Sequence, residues 1–68
     1  MIKNQRKVLK VKGTIEVGVP AIIFADVNGE MRWQRTSPVV SWSLTVWGDF
    51  KLTTKNSIYY GYNIEFID

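Results

Sequence analysis

The sequence predicts an all-β domain, a small antiparallel barrel or a strongly curled sheet of five to six strands. Three observations carry that expectation. From Leu9 to Val19 the residues alternate, with Leu9, Val11, Ile15, Val17 and Val19 pointing one way and Gly13 in phase. Lys10, Lys12, Thr14, Glu16 and Gly18 point the other way, which is the period of a strand with one covered face. Asn28-Gly29 separates two further strand-like runs, and both residues tolerate the positive φ that a two-residue type I′ hairpin turn requires. Finally, no stretch keeps a 3.6-residue period over three turns, and Ala, Leu and Glu are scarce.

In chain order, residues 1–8 form a basic N-terminal arm without a settled period. The strand from Leu9 has Gly13 and Gly18 as places for a bulge, and Pro20 ends it. Ala21 to Val27 follows, with Ile23, Ala25 and Val27 alternating against Ile22, Phe24 and Asp26. The return strand is Glu30 to Thr36, and Ser37-Pro38 punctuates it. Val39 to Trp47 resumes the alternation with Val40, Trp42, Leu44 and Val46 inward, leaving Val39 and Trp47 on the wet side. Gly48-Asp49 turns the chain into Phe50 to Thr54. A tight turn at residues 55–57 uses Asn56, a residue suited to a left-handed conformation. The last run, Ile58 to Ile67, places Ile58, Tyr60, Tyr62, Ile64 and Phe66 inward, with Gly61 marking a bulge or a close strand crossing.

Sixty-eight residues hold one domain, residues 9–68, behind the arm. Strands this short and numerous close most naturally into an SH3-like or OB-like barrel, because closure removes exposed edges. A flat open sheet is the competitor, and its bare face would need a second copy to cover it. With no cysteine there is no disulfide to staple so small a core, so self-association into a homodimer or higher oligomer is expected. Trp33 and Trp42 are expected in the core, as are Tyr60 and Tyr62.

The chemistry-bearing residues point away from catalysis. The absence of Cys and His removes thiolate or imidazole metal sites, His-based triads and Cys nucleophiles. Asp26 and Glu30 flank the hairpin turn and could lie close, yet read best as solvated turn acids. The scattered glycines form no phosphate loop. A non-enzymatic protein with no cofactor and no metal is therefore expected. Residues 1–10 have no long apolar run and no segment has the length of a membrane span, so the expected location is cytoplasmic, without membrane contact.

Charge and aromatics support two binding readings. Residues 1–12 carry Lys3, Arg6, Lys7, Lys10 and Lys12 and no acid, while the rest of the chain is net acidic. With exposed aromatics these lysines and the arginine suit single-stranded nucleic acid, where a basic track holds phosphates and rings stack on bases. Arg32, Arg35, Trp47 and Tyr59 are instead the residue types that dominate protein interfaces, and they make candidates for docking on another protein. The protein-docking reading leads and the nucleic-acid reading is its alternative.

Arg35-Thr36-Ser37-Pro38-Val39-Val40, followed by Thr53-Thr54-Lys55-Asn56-Ser57-Ile58-Tyr59, resembles a pattern in short uncharacterised all-β proteins of bacteriophages and mobile genetic elements. There a Thr-Ser-Pro-Val turn precedes a strand and a Thr-x-Asn-Ser-x-Tyr hairpin closes the chain. The resemblance covers residues 35–59. It implies a phage or mobile-element product in the host bacterial cytoplasm, acting as an inhibitor or adaptor on a bacterial protein or assisting phage DNA metabolism. It transfers no catalytic residue. The lysine-rich first strand and the tryptophan content depart from the pattern.

Overall fold

A computed structural model describes residues 4–68. The described residues form six strands: β1 (Asn4–Lys12), β2 (Pro20–Val27), β3 (Glu30–Leu44), β4 (Asp49–Thr54), β5 (Ser57–Tyr62) and β6 (Glu65–Ile67). Among the described residues no helix is long and apolar enough to cross a membrane.

Each of the first four strands pairs antiparallel with the next, and β1 then closes the barrel against β5. The β1–β5 pairing is parallel, which corrects the expectation of a wholly antiparallel sheet. The cause is arithmetic: strands of an up-and-down meander alternate in direction, so the first and fifth point the same way. The sequential order also has none of the Greek-key connection of an OB-like barrel. β6 is the extra strand. It runs parallel to the end of β1, on the edge away from β2.

β1 corrects the sequence reading at both ends. It begins at Asn4, inside the segment assigned to a free arm, and stops at Lys12 instead of Val19. Gly13, at φ 73°, breaks it, and Val17 and Val19 lie exposed in the loop that follows. The Asn28-Gly29 turn forms as expected, with φ of 53° and 87° and Val27 paired to Glu30. The left-handed asparagine near the end of the chain is Asn63, not Asn56. It redirects the chain between β5 and β6, and its N–H donates to the carbonyl of Gly48 at 2.9 Å.

β3 runs through Ser37-Pro38 without ending. Its first half pairs with β2 and its second with β4, and the registers on both sides shift around Pro38. The bend is held by hydroxyls. Thr36 Oγ1 accepts the N–H of Ala21 at 2.9 Å, and Ser37 Oγ donates to Thr54 Oγ1 at 2.9 Å. Thr54 Oγ1 accepts the N–H of Ser57 at 3.2 Å, while the N–H of Asn56 donates to Ser37 Oγ at 3.1 Å. The two motif segments, 35–40 and 53–59, thus meet in one hydroxyl network that turns the barrel's corner.

The core is Val8, Val11, Ala21, Ile23, Ala25, Val39, Phe50, Leu52 and Tyr59. These are mostly small or branched side chains, because a five-stranded barrel encloses little volume. That explains the largest corrections to the expected core. Trp33 stands 48% exposed outside the barrel, and Tyr60 and Tyr62 are exposed as well. β5 has the opposite phase from the one expected: Ser57, Tyr59 and Gly61 face inward, where one ring between two small residues fits. Trp42 and Leu44 do share the phase of Leu52 and Phe50, yet both remain about half exposed. The second half of β3 pairs with β4 alone, and among the described residues no strand pairs with its other edge.

Candidate functional site

A β-bulge in β1 decides where the lysines go. Val8 and Val11 are three residues apart and both fully buried, and the register against β2 shifts between Val8 and Lys10. Leu9 is the extra residue, and it flips the phase of everything before it. Without the bulge Lys7 would fall on the inward phase of Val11. With it, Lys7, Lys10 and Lys12 share the outer face, a spine of cations along one strand.

On the β2 side of that spine the register builds two rows. Lys10 lies opposite Phe24, which lies opposite Trp33. Lys12 lies opposite Ile22, which lies opposite Arg35. The first row is in contact throughout: Lys10 Nζ sits 5.7 Å from the Phe24 ring centroid, and the Phe24 and Trp33 centroids are 5.4 Å apart, tilted by 54°. A lysine over a ring keeps its charge available while its methylenes cover apolar surface. A shallow cleft of about 420 Å³ opens beside the rows, lined by Lys12, Ile22, Trp33, Ile67 and Asp68. Glu65, next to Lys10 on β6, and Asp68 border this face. The one ion pair among the described residues joins Arg32 and Glu30, at 2.6 Å, so neither acid neutralises these lysines by direct contact.

The residues singled out from the sequence are distributed unevenly. Lys3 lies outside the described residues. Arg6 is half-buried and its Nη1 donates to the carbonyl of Asp26 at 3.2 Å, so it is a barrel contact more than part of the spine. Tyr59, a candidate for protein docking, is only 4% exposed and belongs to the core, because the phase of β5 is inverted. Arg32 and Arg35 point to opposite faces of β3, with Arg32 held by Glu30 at the barrel rim. Trp47 is 75% exposed, as expected, but sits at the β3–β4 turn, beyond the second half of β3 from either arginine. The protein-docking residues are therefore not assembled. The nucleic-acid set keeps Lys7, Lys10 and Lys12 and gains Phe24, Trp33 and Arg35, which strand phase alone could not join to it.

Asp26 and Glu30 do not form a carboxylate pair, since they pair with Met31 and Val27 and so lie on opposite faces of the hairpin. Among the described residues no group of three or more acidic side chains gathers to hold a metal ion. A second cleft, of about 430 Å³, is lined by Gly13, Thr14, Ile15, Trp42, Phe66 and Asp68 and has no cation in its wall. Compared with family models, curated proteins and solved structures, the chain has no significant match.

Proposed function

We propose that this protein is a non-enzymatic binder of single-stranded nucleic acid and that the outer face of β1, β2 and β3 is its contact surface. The observation that carries this reading is the registered row Lys10–Phe24–Trp33, a cation and two rings in contact, beside Lys12 and Arg35. Lysines and an arginine neutralise phosphates, and an exposed indole offers a stacking surface indifferent to sequence. No helix is present to enter a duplex groove among the described residues, which favours unpaired bases as the ligand.

The test is a fluorescence-anisotropy titration of a labelled oligothymidylate at rising salt. Micromolar binding with a steep salt dependence is expected. Trp33→Ala should weaken it by roughly 5- to 100-fold, the usual range for one lost stacking ring. Trp47→Ala, at the far turn, should leave it unchanged. No binding at low salt refutes the reading.

Protein docking is a second reading, favoured by the hairpin that ends in Val46 and Trp47. Val46 is 92% exposed, Trp42 and Leu44 are half exposed, and residues 36–48 carry no charge. Such a surface suits a second copy of the chain or, if the protein is phage-encoded, a bacterial host protein. Sedimentation over a wide concentration range tests self-association. A dimer that Val46→Lys converts to monomer supports it, and a monomer at every concentration counts against it.

A further inference from the structure

Tyr60 lies on the outer face of β5, opposite Lys51 of β4 on one side and next to Lys7 of β1 on the other. Lys51 Nζ is 5.9 Å from the Tyr60 ring centroid, the same cation-over-ring arrangement as Lys10 on Phe24. We infer that Lys7, Tyr60 and Lys51 form a second stacking platform, so that a single strand crosses the β1 lysine spine and is held on both sides of it. This rests on the nucleic-acid reading above and extends its site to the opposite flank of β1.

Three features of the structure support the extension. The β1 bulge puts Lys7 on the same outer face as Lys10 and Lys12, only about 10 Å along the strand from Lys10 at 3.3 Å per residue. A backbone leaving the Phe24–Trp33 row therefore meets a further cation before it reaches Tyr60. The Tyr60 ring is 42% exposed, enough to offer a face to a base, and Lys7 and Lys51 are both exposed. Neither lysine is in an ion pair among the described residues. Asp49, an acid on this flank, sits opposite Tyr62, one step along the face from Lys51.

The experiment uses a labelled twelve-nucleotide oligothymidylate and the full chain. Tyr60→Ala should weaken binding by roughly 5- to 100-fold, as one lost stacking partner does. Lys51→Ala should lower the slope of log K against log salt by about 0.7, the value for one phosphate contact on a single strand. If Tyr60→Ala proves unfolded by its thermal transition, Lys51→Ala and Lys7→Ala carry the test, since both side chains are exposed. Should Trp33→Ala weaken binding while Tyr60→Ala and Lys51→Ala leave both affinity and slope unchanged, the track stops at β1 and this extension is overturned alone. A wild-type chain that fails to bind at low salt overturns the extension together with the reading beneath it.

Discussion

Gly61→Ala is expected to cost about 3 kcal/mol of folding stability, at the upper end of what overpacking a well-filled site costs. A methyl group there would meet Ile64 Cγ2 at 2.5 Å and the carbonyl oxygen of Val8 at 2.7 Å. The second contact is backbone of β1, so it cannot rotate away, and relief requires β5 to move from the strand that closes the barrel. Domains of this size are stabilised by only roughly 3–10 kcal/mol in total. The thermal midpoint should fall by roughly 10–20 °C, read by circular dichroism. Gly13→Ala is the control. Open space surrounds that position, so only its φ of 73° opposes a side chain, at about 1–2 kcal/mol. If Gly61→Ala costs no more than Gly13→Ala, the close approach of β5 to β1 is wrong.

Thr54→Val should cost about 2–3 kcal/mol although the two side chains have nearly the same shape. Thr54 is fully buried, and its hydroxyl accepts from Ser37 Oγ and from the N–H of Ser57 while donating to the carbonyl of Ser57 at 3.1 Å. Valine fills the space and leaves the buried amide of Ser57 with no acceptor there, a penalty of about 1–3 kcal/mol by itself. Ser37→Ala should cost less, since the Asn56 N–H it releases lies in an exposed turn. Because Ser37 and Thr54 share a bond, the double variant should fall short of the sum of the singles by about 1 kcal/mol in chemical denaturation. Strict additivity would mean that the corner is not held by this network. The result also bears on the two motif segments, residues 35–40 and 53–59. They meet at these hydroxyls, so their sequence has a structural explanation that involves no ligand.

Local signals in the sequence hold where the physics is local. Asn28-Gly29 demands positive φ at two consecutive positions, and the hairpin there has the expected register. The strand from Phe50 to Thr54 also stands where alternation places it, but the turn before it falls at Val46-Trp47, inside the run expected as strand, and Asp49 already belongs to β4. Phase was the weak point. One extra residue at Leu9, and a register shift between Val39 and Ser41, each turn a strand over, and both lie inside runs that still look alternating. In β5 both phases hold aromatic residues, so periodicity could not choose between Tyr59 and Tyr60 as the buried one.

For the candidate site the same division holds. The basic character of residues 1–12 is written in the composition, which marks Lys3, Arg6, Lys7, Lys10 and Lys12 alike; that Lys7, Lys10 and Lys12 share a face while Arg6 bonds the Asp26 carbonyl depends on the fold. Their aromatic partners are not adjacent in sequence: Phe24, Trp33 and Tyr60 reach the lysines only through strand register and barrel closure. Trp33 was expected in the core because a small domain needs bulk. Closure instead leaves an interior too narrow for an indole and turns it out to solvent.

By itself, then, the order of residues determined an all-β chain, its Asn28-Gly29 hairpin and its concentration of positive charge, since each depends on neighbours a few positions apart. Which face every strand presents, and that β1 lies beside β5, only the closed barrel decided. Those outcomes depend on volume and on pairings between residues some fifty positions apart, and no local preference encodes either.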